Sequence, residues 1–336
     1  MKHQKILKIR NYKGSQLSFT NYGACLKSWV IKLKNNTLID VVLGYQNNKD
    51  YEINPLYLGS TVGRFANRIN KGIFNLNGQK INLPRNDMDN HLHGGYKGFS
   101  TKIWDVIEYC SNKVVFSLQS PHLDENYPGS LKTIVTYKIN DEDELNINFH
   151  AKPEEDTILN LTHHSYFNLN GDSESNILDH ELKINADNIT EINSELIPTG
   201  ELLGVSNTPL DFKKSIKIGK RINSDYNQIK YADGYDHNYV INNYDLKSLR
   251  EAATLKSNNT GVEMIVKTDL PGIQFYSGNF LDGNFKGKNN KRLKKHFGLC
   301  LEPQYFPDSP NHPHFPSTII KQGKEYNHNI KYCLSF

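Results

Sequence analysis

Apolar and polar residues alternate one by one along much of this chain. The alternation is clearest over residues 145–150, where Leu, Ile and Phe alternate with Asn and His, so that an extended segment has one apolar and one polar face. Similar short runs, rich in β-branched or aromatic residues and bounded by turn formers, occur at 113–118, 133–139, 262–267 and 273–276. This period of two predicts strands with one buried face.

A tight hairpin is predicted at residues 73–83. Asn77 and Gly78 stand at its centre, and an Asn-Gly pair readily adopts the positive φ angles of a two-residue turn. Helical signals are few, because residues 212–222 contain a glycine and residues 244–253 fit a strand equally well. We therefore expect an all-β fold with few short helices.

The chain is expected to form a single domain over residues 1–336. Large all-β sandwiches reach this length around one continuous core. No fixed-period repeat and no Pro/Ser-rich linker divides the sequence. The composition, with 37% hydrophobic residues, 19 Tyr and 15 Phe, suits a folded chain rich in strands.

The charge of the chain is nearly balanced. The 40 Lys and Arg residues against 36 Asp and Glu residues give a net charge of +4, too small to indicate a nucleic acid or an anionic membrane as partner. The N-terminal residues lack the apolar run of a signal peptide, and no later stretch is apolar and long enough to span a bilayer, which predicts a cytoplasmic location. Four cysteines lack CxxC spacing, and no disulfide is predicted.

Five short segments carry polar residues that strand formation does not explain. Taken singly, each is compatible with a surface hydrogen-bonding role. Glu302 is more specific, because it ends the apolar run 297–301 and is followed by Pro303, as expected for an oriented, partly buried base. The five segments are 63–68, 90–95, 161–168, 234–238 and 301–304.

Other chemistries fit these segments less well. A cupin-like metal site would combine Glu302 with histidines, but no carboxylate closely follows His91-x-His93, which leads into a Gly-rich loop. No Gly-x-Ser-x-Gly elbow of a serine hydrolase is present. We predict no metal and no cofactor, which leaves acid-base chemistry. The histidines considered are His91, His93, His163 and His164.

Six segments resemble motifs of the galactose mutarotase family, in that family's order and over nearly the whole chain. Such an ordered set is far more specific than any single motif. The resemblance implies an antiparallel β-supersandwich with its site on a concave face, in agreement with the strand pattern. The segments are GRFANRI (63–69), HLHGG (91–95), NLTHHSYFNL (160–169), GYDHNY (234–239), PGIQFYSGNFLDG (271–283) and LEPQYFPDSPNHPHFPS (301–317).

The resemblance implies an aldose 1-epimerase, which interconverts the anomers of free monosaccharides such as galactose and glucose. Residue by residue, it places the general base on Glu302, the general acid on His164 and a further histidine that contacts the sugar on His93. His163 stands where the family usually has Asn, and Pro303 where it often has Thr. The positions implied to hold sugar hydroxyls or line the cleft are Asn67, Arg68, Asp236, Gln274, Ser165 and Tyr166.

The expected reaction removes a proton from the C1 hydroxyl and delivers another to the ring oxygen. Glu302 would take the first proton and His164 would give the second, so the base must be ionised while the acid is protonated. Ordinary pKa values of about 4.3 and 6.5 leave a narrow pH window for this state. Mutual attraction between the two groups is expected to widen it.

Three rival functions remain open. A hexose-6-phosphate 1-epimerase would need cations at the phosphate, for which Arg64 or the basic stretch 286–295 are candidates, although a solvated loop is the favoured interpretation of that stretch. A non-catalytic sugar-binding protein could share the fold, and a glycoside hydrolase could use Glu302 with Asp236. The preferred sugar, and whether the chain is a monomer or a homodimer, do not follow from the sequence.

Overall fold

The computed structural model describes residues 3–172 and 175–336, and its regular structure is almost entirely β. The helical part of this region is small: one α-helix, α1 (Asn227–Ala232), and seven 3-10 turns, Asn48–Glu52, Asn70–Gly72, Phe99–Thr101, Asp124–Asn126, Ile218–Lys220, Lys288–Asn290 and Ser309–Asn311. The strands are β1 (Ile6–Arg10), β2 (Gln16–Thr20), β3 (Cys25–Lys32), β4 (Leu38–Asp40), β5 (Ser60–Val62), β6 (Arg68–Ile69), β7 (Ile73–Leu76), β8 (Gln79–Asn82), β9 (His91–Leu92), β10 (Asp105–Tyr109), β11 (Lys113–Ser120), β12 (Leu131–Ile139), β13 (Glu144–Pro153), β14 (Thr157–Ile158), β15 (Thr162–His164), β16 (Tyr166–Phe167), β17 (Glu181–Ile184), β18 (Ala186–Ile192), β19 (Pro198–Gly204), β20 (Ile216–Lys217), β21 (Asp236–Ile241), β22 (Arg250–Lys256), β23 (Glu263–Thr268), β24 (Gly272–Tyr276), β25 (Asp282–Lys286), β26 (Arg292–Lys294), β27 (Leu299–Gln304), β28 (Ile319–Ile320) and β29 (Tyr326–Ser335).

The predicted all-β class and the five predicted strands are confirmed, the latter as β11, β12, β13, β23 and β24. The hairpin is confirmed too, because β7 and β8 flank Asn77 at φ 50° and Gly78 at φ 79°. The two weak helical signals do not give α-helices: the first segment contains a short strand and a 3-10 turn, and the second leads into β22. Helix α1 was not predicted, since six residues are too few for a helical period to appear.

Two antiparallel sheets dominate the fold. The larger has nine strands in the order β10-β11-β12-β13-β29-β23-β22-β17-β20, and the smaller has six in the order β16-β27-β24-β21-β18-β19. A four-stranded sheet, β1-β2-β3-β4, and five two-stranded ribbons, including β15 with β5, complete the described part. Every pairing between named strands is antiparallel, as expected for short strands joined by tight connections.

The two large sheets pack face to face around one core. On β13 the buried residues alternate with half-exposed ones, and Ile147 and Phe149 join the same apolar cluster as Phe275 on β24. Tyr332 on β29 crosses the interface and donates a hydrogen bond to the Leu301 carbonyl on β27 at 2.9 Å. The core therefore holds the inner face of the six-stranded sheet in place.

The central strands of the six-stranded sheet are buried on both faces. On β27, Leu299 and Leu301 point into the core, so the alternation directs Glu302 and Gln304 to the opposite face. On β24, Ile273 belongs to the core in the same way. The outer face thus carries polar side chains, yet loops cover it and every residue of both strands is buried.

Arg64 is a buried structural cation with 2% of its surface exposed. Its Nε donates to Ser120 Oγ at 2.9 Å, and its terminal nitrogens donate to the carbonyls of Ser120, Pro121, Pro128 and Gly129 at 2.7 to 3.0 Å. The five donors of the guanidinium thus meet five acceptors. Arg64 ties the segment after β11 to the body of the protein and has no donor left for a ligand.

Two further features are the state of the cysteines and the length and hydropathy of the helices. The four cysteines are free thiols: Cys25 and Cys300 are buried, Cys333 is partly buried and Cys110 is exposed. Among the described residues, no helix has the length and hydropathy needed to cross a membrane.

Replacing Arg64 by Met is expected to lower the free energy of unfolding by on the order of 3 kcal/mol, because four carbonyls, those of the buried Ser120 and Gly129 among them, would lose the Arg64 donor. Urea unfolding would measure the change. Arg85→Met is the matched control, since the Arg85 side chain is 48% exposed and makes one exposed hydrogen bond, from Nε to the Lys71 carbonyl at 3.1 Å. Equal losses in the two variants would contradict the structural role of Arg64.

Candidate active site

A cleft of ≈ 380 Å³ lies over the outer face of β21, β24 and β27. Its floor comes from these strands and from β15 and β16, and its walls come from the loops before β5 and between β8 and β9. The lining residues are Pro55, Leu56, Tyr57, Asn67, Arg68, Asp87, Met88, Leu92, His93, His164, Tyr166, Leu196, Asp236, Gln274, Tyr276, Phe280 and Glu302.

His164 and Glu302 face each other at the floor of the cleft, with 3.6 Å between Nε2 and Oε1. They come from β15 and β27, which are not paired in a sheet. The hydroxyl of Thr162, two residues before His164, donates to the carbonyl of Pro303 at 2.7 Å. This hydrogen bond ties the two strands together beside both side chains.

The imidazole of His164 is enclosed by rings and a thiol. The Tyr57 ring stacks on it at a centroid distance of 5.8 Å and the Tyr166 ring at 5.1 Å. The Sγ atom of Cys300 lies 3.5 Å from Nδ1, the nitrogen that faces away from Glu302. Both ring nitrogens therefore have a partner, and the plane of the ring is restrained.

His93 is held as a neutral hydrogen-bond donor. The backbone N–H of Asn67 donates to His93 Nδ1 at 3.1 Å, so the ring proton belongs on Nε2. Burial, with repulsion from His164 and Arg68, lowers the pKa of His93 well below its usual value. A neutral imidazole with a free N–H suits a contact with a hydroxyl or ether oxygen.

The opposite side of the cleft has an oriented set of polar groups. Arg68 Nε donates to Asp87 Oδ2 at 2.7 Å. Gln274 Nε2 donates to Asp236 Oδ1 at 2.6 Å, and Gln304 Nε2 in turn donates to Gln274 Oε1 at 3.3 Å from behind the floor. These bonds fix the amide and carboxylate orientations, as a site that recognises hydroxyl groups requires.

Burial is the main electrostatic influence on the facing pair. It raises the pKa of Glu302 well above its usual range, and the negative charge of Asp236 adds to this shift. It lowers the pKa of His164 to about 4, against a smaller opposite effect of that residue's own carbonyl. The prediction that mutual attraction would widen the pH window in which both groups are charged is therefore wrong: desolvation favours the two neutral forms, which together hold one proton.

The structure brings eight of the nine predicted site residues into the cleft lining: His93, His164, Glu302, Asn67, Arg68, Asp236, Gln274 and Tyr166. Ser165 is outside that lining; it is fully buried, and its Oγ has no hydrogen-bond partner among residues 3–172 and 175–336. His163 also lies away from the cleft, with its ring 5.6 Å from that of Tyr137 in the core. Alternation along this segment directs His164 to the cleft and its two neighbours elsewhere.

Sequence reasoning missed several cleft residues. Tyr57 and Asp87 come from loops with no periodic pattern, and no signal in the sequence identified them. Tyr276 and Phe280 lie within the quoted 271–283 motif, and Gln304, which is outside the lining but holds Gln274 from behind, lies within the 301–317 motif. For these three residues, the motifs that contain them were a signal by which the sequence could have identified them.

The lining does not suit a sugar phosphate. Arg68 is the one Lys or Arg side chain among the lining residues, and Asp87, Asp236 and Glu302 share the cleft with it. Arg64 is fully engaged elsewhere, and no residue of 286–295 lines the cleft. Lys288 of that stretch instead contacts Asp40 at 2.7 Å. A negatively charged ligand would meet more carboxylates than cations here.

One group of side chains has the composition of a metal site. Possible ligand atoms of His164, Cys300 and Glu302 lie within 4.8 Å of one another. However, the thiol is nearest to Nδ1 of His164 and the carboxylate is nearest to Nε2. A single ion on either nitrogen would need side-chain rotation to reach both other ligands, so the arrangement fits proton transfer better.

The chain is similar to known proteins over nearly its whole length. A family model described as aldose 1-epimerase matches residues 5–333. The chain is 40% identical to galactose mutarotase of Sus scrofa over 95% of this chain and 91% of that protein, and 32% identical to aldose 1-epimerase of Escherichia coli K12 over 98% and 94%. Its fold is similar to the solved structure of an aldose epimerase homologue from C. elegans, with a TM-score of 0.91 and 30% identity over 99% of both chains. A galactose 1-epimerase from Lactobacillus acidophilus gives a TM-score of 0.85 at 28% identity, covering 99% of this chain and 98% of that one.

Replacing Glu302 by Gln is expected to raise the free energy of unfolding at pH 8 and to leave it nearly unchanged at pH 4.5. A carboxyl whose pKa is raised by folding contributes most stability below its unfolded pKa, and that contribution is lost as the pH rises through the folded pKa. The amide avoids this loss, and each unit of pKa shift corresponds to about 1.4 kcal/mol. Urea unfolding at several pH values would measure the difference, with the exposed Glu201→Gln as control. A pH-independent difference for Glu302→Gln would contradict the raised pKa.

Proposed function

This chain belongs to the aldose 1-epimerase family, and from that premise we propose that it interconverts the α and β anomers of free aldohexoses by proton transfer at Glu302 and His164. The observation that carries this assignment is the 3.6 Å approach of His164 Nε2 to Glu302 Oε1 at the buried floor of the cleft. An acid and a base at this separation can serve two oxygens bonded to one carbon. In a cyclic aldose these are the C1 hydroxyl and the ring oxygen.

The proposed reaction needs only groups of the protein. The Glu302 carboxylate takes the proton of the C1 hydroxyl while His164 Nε2 gives a proton to the ring oxygen, the C1–ring oxygen bond breaks and C1 becomes an aldehyde. Rotation about the C1–C2 bond presents the other carbonyl face. The ring oxygen then attacks C1, and the two residues return their protons in reverse.

The protonation states of the pair fit this cycle. Between the two titrations of the pair, Glu302 and His164 together hold one proton. The proton is on Glu302 in the neutral arrangement and on His164 in the arrangement of carboxylate with imidazolium, so the two arrangements differ only by its place. Their ratio does not depend on pH. The reactive arrangement is thus present across a broad pH range, although desolvation makes it the minor one.

Free galactose and glucose are the proposed substrates. The relatives named galactose mutarotase support galactose, and the surplus of carboxylates in the cleft supports a neutral sugar over a phosphorylated one. Asn67, Arg68, Asp236 and Gln274 are the proposed partners of the hydroxyl groups, with His93 as a further donor. Glycoside hydrolysis would require a pair of carboxylates. Glu302 instead faces His164 at 3.6 Å, which supports epimerisation.

Glu302→Gln and His164→Asn are each expected to lower kcat by about 10²–10⁴-fold, because each removes one partner of the coupled proton transfer. Polarimetry of freshly dissolved α-D-galactose and α-D-glucose would measure the rate of relaxation to the common final rotation.

His163→Asn is the matched control for this experiment, since His163 is the adjacent histidine and lies outside the cleft lining. It should keep the activity of the unmodified protein. If Glu302→Gln relaxed the sugar as fast as the unmodified protein, the proposed base would be wrong. Acceleration with glucose 6-phosphate but with neither free sugar would favour the sugar-phosphate epimerase.

The pH profile of kcat is expected to have a broad plateau. Activity should fall below about pH 4 as His164 takes up a proton, and it should fall at high pH once Glu302 loses its proton above its raised pKa. Asp236→Asn should move the alkaline limb to lower pH, because it removes a negative charge that raises the pKa of Glu302. Polarimetric rates, corrected for spontaneous mutarotation at each pH, would test this. An unmoved alkaline limb would exclude Glu302 as its origin.

A further inference from the structure

Two tyrosine rings fix the plane of the His164 imidazole but not which edge of the ring faces Glu302. The rings of Tyr57 and Tyr166 are inclined to it by 25° and 30°. A half-turn of the imidazole about its bond to Cβ keeps this plane and exchanges Nδ1 with Cδ2 and Nε2 with Cε1. Stacking is nearly the same in both orientations, so a contact at the edge of the ring must select the one that presents Nε2 to the cleft.

The contact at the far edge is the thiol of Cys300, which lies 3.5 Å from Nδ1. Cys300 is fully buried and stands two residues before Glu302 on β27, so both side chains lie on the same face of the strand. The carbonyl of His164 itself also lies near the ring, but it already accepts the N–H of Gly59 at 2.9 Å. The strand that carries the base thus also carries a partner for the far nitrogen of the acid.

We propose that Cys300 is a positioning residue whose thiol holds Nδ1 of His164 and keeps Nε2, with its proton, directed to Glu302 and the sugar. This inference rests on the proposed function, because it concerns the nitrogen that the proposed acid uses. In the half-turned orientation Cδ2 would face the thiol, and Cε1 would face the carboxylate. The ring could then neither transfer a proton on the side of Glu302 nor form a hydrogen bond with Cys300.

A thiol suits this place because it can adapt to both protonation states of the ring. Burial and the nearby carboxyl groups of Glu302 and Asp236 raise the pKa of Cys300 well above its usual range, so the sulfur keeps its proton. The S–H group is a weak donor to Nδ1 of a neutral imidazole, and the sulfur is a weak acceptor from Nδ1–H of an imidazolium. A carboxylate here would instead bind Nδ1–H strongly and make His164 a weaker acid.

Nitrogen-15 NMR of the whole protein labelled at histidine tests the position of the proton directly. The His164 signals are identified by their loss in His164→Gln. In the unmodified protein at pH 7 we expect Nε2 to carry the proton and Nδ1 to be unprotonated, and in Cys300→Ala we expect a mixture of the two tautomers. A proton on Nδ1 in the unmodified protein would overturn the proposal.

Kinetics test the consequence for catalysis. Cys300→Ala should lower kcat by about 10- to 100-fold with little change in KM, as expected for a misplaced acid. Cys300→Ser keeps a hydroxyl donor and acceptor at this place and should restore most of kcat. Cys25→Ala is the matched control, because Cys25 is equally buried in the same apolar cluster but contacts Ser60 and Asn54 rather than His164. Equal kcat values for Cys300→Ala and Cys25→Ala would overturn the inference.

These results separate the inference from the proposed function. If His164→Gln kept the kcat of the unmodified protein, the proposed acid would be wrong, and this role of Cys300 would be wrong with it. If His164→Gln lost activity while Cys300→Ala kept both kcat and the tautomer, the inference alone would be wrong. Should Cys300→Ala fail to fold, the tautomer of the unmodified protein and the kcat of Cys300→Ser still decide the question.

Discussion

The site depends on one constraint: β24 and β27 of the six-stranded sheet are covered on both faces, so that even the side chains of Gln274 and Glu302 at the cleft are almost fully buried. Desolvation of a charge is costly, and this cost appears as the opposite pKa shifts of Glu302 and His164. Most buried polar groups have a hydrogen-bond partner, and a chain of such bonds runs here from Gln304 through Gln274 to Asp236. The reactivity and the rigidity of the site thus have the same physical origin.

The structure separates the chemical groups from the groups that contact the rest of a ligand. Glu302 and His164 stand on strands whose other faces join the core, and the Thr162 hydroxyl bonded to the Pro303 carbonyl links those strands. Loops provide much of the wall, including Tyr57 and Asp87. Loops change more easily than a packed sheet, so the walls of the cleft can vary while Glu302 and His164 keep their places.

The sequence was informative where a local pattern determines structure. Alternation over 145–150 became the half-buried β13, and the Asn77-Gly78 pair became the turn of a hairpin. Ser165 shows how motif membership can mislead, because a residue between two cleft residues on an extended segment faces the other way.

What the sequence could not supply depends on tertiary structure. Tyr57 reaches the cleft only because its loop folds over β15, and no spacing in the sequence encodes that approach. The protonation of Glu302 and His164 depends on how deeply both are buried, whereas the expectation of mutual attraction considered their charges alone. The contact of Cys300 with His164 joins residues 136 positions apart.

The place of β29 has a consequence for how the protein is made. This strand, residues 326–335, does not lie at an edge but is inserted between β13 and β23 in the middle of the nine-stranded sheet. Its partners on β13 lie about 180 residues earlier, so the sheet has a high contact order and closes late. During synthesis on the ribosome, the core beneath the active site stays incomplete until these residues emerge. Until then β13 and β23 have unpaired edges, and unpaired strand edges are the kind of surface through which incomplete chains aggregate.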